Sequence, residues 1–179
     1  MKKDIERILL TEEEISEKVK FLAKQIKSEY SDKNPLILCI LKGSVVFTAD
    51  IIRELDFPCE IDFMQVSSYG HGAETTGELV IKKDLDTDIK GRDVIIIEDI
   101  LDTGVTLSKL IPNLGARGAR KVAICVLLNK PERRTAEVDA DYIGFDIENE
   151  FVVGYGLDYD EKYRNLPYIG ILKRGVYEK

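Results

Sequence analysis

Apolar positions in this chain follow two rhythms. Residues 36–41, 94–97 and 122–128 are short unbroken apolar runs rich in β-branched side chains, as expected of strands covered on both faces. Between them, apolar residues recur at helical spacing. Thr11-Glu12-Glu13-Glu14 forms a capping-box signature and Ile15, Val19, Leu22 and Ile26 follow it, so a helix is predicted to about Tyr30. Two more helices are predicted, one over 45–55 and one through Leu107, Leu110, Ile111 and Leu114. Further strands are expected over 59–67, 78–82, 142–147 and 151–153, with 169–172 closing the sheet. Strands alternating with helices imply an α/β fold, a mostly parallel sheet flanked by helices, in one domain over 1–179 with no linker or repeat.

One strand-to-helix junction carries the densest chemistry. After Val94-Ile95-Ile96-Ile97 come Glu98-Asp99-Ile100-Leu101 and then Asp102-Thr103-Gly104-Val105-Thr106. In open α/β sheets ligands bind beyond the carboxyl ends of strands, where helix N–H groups meet anions. The backbone from Thr103 to Thr106, with two threonine hydroxyls and a glycine that allows close approach, makes a nest suited to a phosphate monoester. No lysine lies in this turn, which distinguishes it from the nucleoside triphosphate P-loop. Glu98 and Asp99 can accept hydrogen bonds from a vicinal diol or support a hydrated cation. The plainer alternative is a solvated acidic turn with Asp102 or Thr103 as helix N-cap.

Composition narrows the setting. The net charge of −7 argues against a broad nucleic-acid or anionic-membrane surface, yet leaves room for a phosphorylated ligand in one local nest. Cys39, Cys59 and Cys125 lie in apolar contexts without ligand spacing and read as buried thiols of a reducing, cytoplasmic compartment. No apolar stretch has the length of a membrane span. Residues 68–77 hold three glycines and four hydroxyl-bearing side chains and read as a flexible lid loop. The only histidine, His71, lies there and is expected to be solvated.

The stretch Glu98-Asp99-Ile100-Leu101-Asp102-Thr103-Gly104-Val105-Thr106 resembles the phosphoribosyl diphosphate (PRPP) loop of type I phosphoribosyltransferases. Leu41-Lys42-Gly43, Ser67-Ser68-Tyr69-Gly70, Leu128-Asn129-Lys130-Pro131-Glu132-Arg133-Arg134 and Phe151-Val152-Val153-Gly154-Tyr155-Gly156-Leu157-Asp158-Tyr159 extend the likeness from about Ile8 to Leu172, specifically to hypoxanthine (hypoxanthine-guanine) phosphoribosyltransferases. The resemblance implies a type I fold with a small hood, and transfer of the 5-phosphoribosyl group to N9 of a 6-oxopurine with release of diphosphate. Asp102 matches the family's general base. Thr103, Gly104, Val105 and Thr106 match the 5′-phosphate loop, and Glu98 and Asp99 the ribose-binding acids. Lys42, Gly43 and Arg164 match diphosphate-binding positions, and Leu41-Lys42 is often a cis peptide in the family. Ser68 and Tyr69 match lid residues, while Lys130, Phe151, Val152, Asp158 and Ile100 match the purine pocket. Lys130 would donate to the purine O6, Phe151 would stack on the base, and Val152 and Asp158 would bond its edge through their backbones.

The resemblance also implies Mg²⁺, supported by Asp158, Glu98 and Asp99, and a homodimer or homotetramer. Val105 and Ser67 stand where mammalian relatives carry lysines, as in the shorter bacterial branch. Three alternatives remain open from the residues. One is a transferase preferring xanthine or guanine. The second is a PRPP-sensing regulator, which would need a basic face that a pI near 4.9 does not suggest. The third is an interaction subunit without activity, whose signature would be loss of Glu98, Asp99, Asp102 or Lys130.

Overall fold

The computed structural model describes residues 1–68 and 79–178. Nine strands and four helices are defined there: β1 (Ile5–Leu10), α1 (Glu12–Tyr30), β2 (Leu36–Ile40), α2 (Val45–Glu54), β3 (Glu60–Ser68), β4 (Leu79–Lys83), β5 (Asp93–Leu101), α3 (Val105–Ala116), β6 (Lys121–Asn129), β7 (Tyr142–Asp146), β8 (Val152–Val153), β9 (Ile169–Leu172) and α4 (Arg174–Tyr177). The main sheet has the order β4-β3-β2-β5-β6-β7. All its pairings are parallel except β3 with β4.

The unbroken apolar runs are explained by burial on both sides. Ile37, Ile95, Ile97, Ala123, Cys125 and Leu127 face α1 and α2, whose Ile15, Val19, Leu22, Ile26, Phe47 and Ile51 complete that core. Alternate residues, among them Leu36, Leu38, Val94, Ile96, Ile124 and Val126, face α3 through Leu107, Leu110 and Leu114. The predicted capping box forms: Thr11 Oγ1 accepts from the Glu14 N–H (3.2 Å), and the Glu14 carboxylate accepts from the Thr11 N–H (2.8 Å).

Three expectations need correction. Residues 169–172 do not close the main sheet. They form the centre of a separate antiparallel sheet, β1-β9-β8, which is the small hood. Its outer strand β1 escapes a periodicity reading because Ile5-Glu6-Arg7-Ile8 lacks clean alternation, and most of it is exposed. Glu98-Asp99 does not end the central strand either: β5 continues to Leu101, with Glu98 opposite Val126 and Leu101 opposite Asn129 of β6. Cys39 and Cys125 are buried as expected, but Cys59 is only partly so. The lid residues from Tyr69 through Gly77, with His71, lie outside the described residues.

Candidate active site

The carboxyl end of β5 carries two acids that lack counter-ions in direct contact. Oε2 of Glu98 is enclosed without a hydrogen-bond partner. Burial, reinforced by the charge of Asp99, pushes the Glu98 carboxyl well above its usual range. Burial also raises Asp99 to about 6, against the pull of backbone hydrogen bonds and the more distant Arg164. Asp99 Oδ1 accepts from the Ile100 N–H (2.8 Å). A Cβ on Gly43 would overlap the Asp99 carboxylate, and a Cβ on Gly156 would overlap the Gly43 carbonyl. Glycine at both positions therefore lets three chain segments close on one another. The Leu41–Lys42 peptide beside this packing is cis.

Beyond β5 the chain turns sharply into α3. Gly104 takes φ +81°, a left-handed conformation that favours glycine, and serves as N-cap without a side-chain capping hydrogen bond. The alternative of Asp102 or Thr103 as N-cap is not realised; Thr103 Oγ1 accepts from the Val105 N–H only at 3.5 Å. An anion can thus approach the start of α3 without displacing a cap. Two consecutive arginines from the segment after β6 hold the turn. Arg134 donates to the carbonyl of Asp102 (3.2 Å), to that of Val138 (2.6 Å) and to Asn129 Oδ1 (2.5 Å). Arg133 Nε donates to Asp102 Oδ1 (2.8 Å), so this carboxylate has a charged partner.

Parallel register sets the next neighbour. With Leu101 opposite Asn129, Lys130 lies beside Asp102, and its N–H donates to the Leu101 carbonyl (3.0 Å). The Lys130 side chain is buried and its ammonium donates to the Glu150 carbonyl (2.7 Å). Burial, aided by Arg133, holds this ammonium below its ordinary pKa, while Asp102 and Glu150 act in the opposite direction. Ile100, Asp102, Lys130, Phe151, Val152 and Leu157 share a cleft of about 360 Å³. Phe151 is 37% exposed, whereas Val152 is buried in β8.

The second side of the site comes from the loop between β8 and β9. Gly154 (φ +102°), Tyr155 (+51°) and Gly156 (+101°) reverse the chain. Arg164 Nη1 donates to the Gly156 carbonyl (2.8 Å), and its Nη2 pairs with Asp158 Oδ1 (2.8 Å) and Glu161 Oε2 (3.3 Å). Asp158 Oδ2 accepts from the Glu161 N–H (2.9 Å). Glu161 also pairs with Lys42 (3.1 Å), so one carboxylate bridges two of the cations expected at the diphosphate. A larger hollow of about 750 Å³ lies between α1, α2 and residues 164–167, but neither the Thr103–Thr106 turn nor Asp102 lines it.

The fold therefore gathers Asp102, Lys130, Phe151, Val152 and Ile100 at one cleft, with Glu98 and Asp99 earlier on β5 and the 103–106 turn next to Asp102. It links Lys42, Gly43, Asp99, Asp158 and Arg164 through the contacts described above. Ser68 ends β3, and Tyr69 is outside the described residues. Arg133, Arg134 and Tyr177 join the site through contacts that local sequence does not reveal. The paired arginines next to Lys130 were the only available signal for the first two.

Comparisons with known proteins place the chain among relatives. Residues 7–160 match the family model described as the phosphoribosyl transferase domain. The hypoxanthine-guanine phosphoribosyltransferase of Bacillus subtilis is 53% identical over 178 residues, covering 99% of both chains. That of Streptococcus thermophilus is 52% identical over 179 residues, covering 100% of this chain and 99% of the relative. A crystal structure of a hypoxanthine phosphoribosyltransferase from Staphylococcus aureus superposes with a TM-score of 0.96 at 50% identity, covering 100% of this chain and 97% of that one. On matches of this extent, the chain belongs to the hypoxanthine-guanine phosphoribosyltransferase family of type I phosphoribosyltransferases.

Proposed function

We propose that the protein is a purine salvage enzyme that transfers the 5-phosphoribosyl group of PRPP to N9 of hypoxanthine, and also of guanine, giving IMP or GMP and diphosphate. The observation that carries this reading is the juxtaposition of Asp102 and Lys130 in the cleft that holds Phe151, with the uncapped start of α3 immediately after the Asp102 turn. In this reading a purine lies against Phe151. The Lys130 ammonium donates to O6, which suits a 6-oxopurine and not the amino group of adenine. The Val152 and Asp158 backbones meet the base edge.

Asp102 takes the proton from N7 as N9 attacks the anomeric carbon, and its charge stabilises the positive charge developing on base and ribose. Because Arg133 holds Oδ1, the purine must engage Oδ2 or displace the guanidinium. Thr103, Gly104, Val105 and Thr106 receive the 5′-phosphate. Glu98 and Asp99 accept from the ribose hydroxyls, which would give the enclosed Glu98 oxygen a partner. Lys42, Gly43 and Arg164 face the diphosphate once Glu161 yields the two cations.

The residues fit Mg²⁺ of the kind held chiefly by substrate oxygens and water. Among the described residues no group of three or more His, Cys, Asp or Glu side chains could hold a metal ion, yet the unpartnered Glu98 oxygen and Asp99 offer hard ligands. Glu98 and Asp99 would support the ion, and Asp158, whose two oxygens are already engaged, would do so through water. When bound it neutralises the departing diphosphate. The three free cysteines support a reducing cytoplasmic setting.

Diphosphate release from Mg²⁺-PRPP, measured with hypoxanthine, guanine, xanthine and adenine separately, tests the reading. Turnover with hypoxanthine or guanine and none with adenine is expected. A higher kcat/KM for xanthine would change the base assignment, and PRPP binding without turnover on any base would point to a sensor. Sedimentation of the full chain tests the proposed dimer or tetramer.

A further inference from the structure

The chain's last turn reaches the base cleft. After β9, the Lys173 N–H donates to the Asp4 carbonyl (3.0 Å), and α4 brings Tyr177 to the cleft lined by Asp102, Lys130 and Phe151. The rings of Tyr177 and Phe151 stack with centroids 4.7 Å apart and planes at 21°. Tyr159 meets Phe151 edge-on at 5.6 Å and 86°, and meets Tyr177 at 6.5 Å and 66°. Phe151 is thus held by one ring stacked on it and another perpendicular to it. Val176 and Tyr177 also pack against the hood cluster of Val153, Tyr163, Leu166 and Leu172, which anchors the turn.

With this stack formed, a cleft of about 360 Å³ remains, lined by Phe151 and Tyr177 together with Ile100, Asp102, Lys130 and Leu157. That is room for roughly a dozen waters at liquid density, enough for a bicyclic base. The Tyr177 ring therefore shares the cleft wall with Phe151 and leaves room for a base beside them. A half-exposed phenylalanine without backing would rotate and lose part of the stacking contact that it offers a planar ligand.

We propose that Tyr177 is a positioning residue for the base. It backs Phe151, fixes the plane of that ring, and so makes the C-terminal turn part of the base site and a determinant of base affinity. The nature of the ligand rests on the function proposed above; the backing geometry does not.

The test compares Tyr177→Ala and Tyr177→Phe with the native chain by steady-state kinetics and by calorimetric binding of IMP. Tyr177→Ala is expected to raise the KM for hypoxanthine and the Kd for IMP roughly three- to tenfold, the range of one aromatic pair, with kcat and the KM for PRPP within about twofold. Tyr177→Phe keeps the ring and is expected to recover most of the affinity. An unchanged hypoxanthine KM in Tyr177→Ala, a parallel rise in the PRPP KM, or a Tyr177→Phe variant as weak as Tyr177→Ala would each overturn the proposal. If the native chain is active and Tyr177→Ala is indistinguishable from it, only this inference fails. If the native chain neither turns over a 6-oxopurine nor binds IMP, the proposed function fails, and this inference with it.

Discussion

Two sets of carboxylates stand at the candidate site, and they are held in opposite ways. Glu98 and Asp99 belong to a strand in the middle of the main sheet, and burial raises both above their ordinary pKa values. Asp158 and Glu161 belong to the loop after β8, where Arg164 and Lys42 pair with them; those pairs hold Glu161 below its ordinary value. Glu98 is costly for the empty protein, since a buried oxygen without a partner loses hydration and gains nothing in return, whereas Asp99 recovers part of that cost from the Ile100 N–H. The loop acids cost little, because each has a cation beside it, and the exposed Glu161–Lys42 pair contributes little. One region stores unmet bonding capacity for a ligand, and the other arrives with its charges already balanced. Asp102 lies between these extremes, half-exposed and touching Arg133.

The largest expected effect comes from that intermediate carboxylate. Asp102→Asn should lower kcat about 10²- to 10⁴-fold, the usual contribution of a general base, while PRPP binding is largely kept. Unchanged turnover would remove Asp102 from the base role. Next is the contact that brings the two regions together. Gly43→Ala places a methyl group on the Asp99 carboxylate and should destabilise the protein by about 1–3 kcal/mol, seen as a lower Tm. An unaltered Tm would show that the segments do not close as described.

A pH series separates the two sets further. A carboxyl raised in the folded state binds its proton more tightly there than in the unfolded chain. Its contribution is therefore greatest at low pH and is lost as pH rises from the ordinary carboxyl value towards the folded one. For Asp99 that window runs from 3.8 to about 6. Glu98 adds to the same trend above 4.5. Lowered acids such as Asp62, Asp84 and Asp93 act in the opposite sense, and their stabilisation is lost as pH falls below about 3.8. Between pH 4.5 and 6.5 the apo protein should lose on the order of 1 kcal/mol through Asp99, and Asp99→Asn should flatten that slope in denaturant titrations. A slope that survives in Asp99→Asn would assign it to Glu98 alone.

The smallest effect is expected at the paired acids. Glu161→Gln removes a carboxylate that competes for Lys42 and Arg164, so the KM for PRPP should fall about twofold, with stability changed by less than about 1 kcal/mol. A rise in that KM would mean that Glu161 orders the two cations for the ligand.

Much of this comparison is written locally. The apolar runs 36–41, 94–97 and 122–128 specify strands covered on both faces, because a parallel sheet between two helical layers leaves no face for polar residues. The turn at Asp102-Thr103-Gly104 is legible for a related reason: its positive φ and the helix start that follows depend on residues adjacent in the chain. The hood was harder to read. β1 and β9 are separated by most of the sequence, and each is too short and irregular to announce a partner. Arg133 and Arg134 could be seen as a pair, but not their acceptors on the far side of the β5–β6 register.

Side chains within a few residues of one another suffice to mark the strands and helices of the main sheet, the acid pair Glu98-Asp99 and the glycine turn at Gly104. Only the tertiary structure decided which carboxylates carry a counter-ion, where Lys130 stands relative to Asp102, and that Tyr177 lies over Phe151. These depend on strand register and on contacts between segments distant in the chain, which no local periodicity encodes.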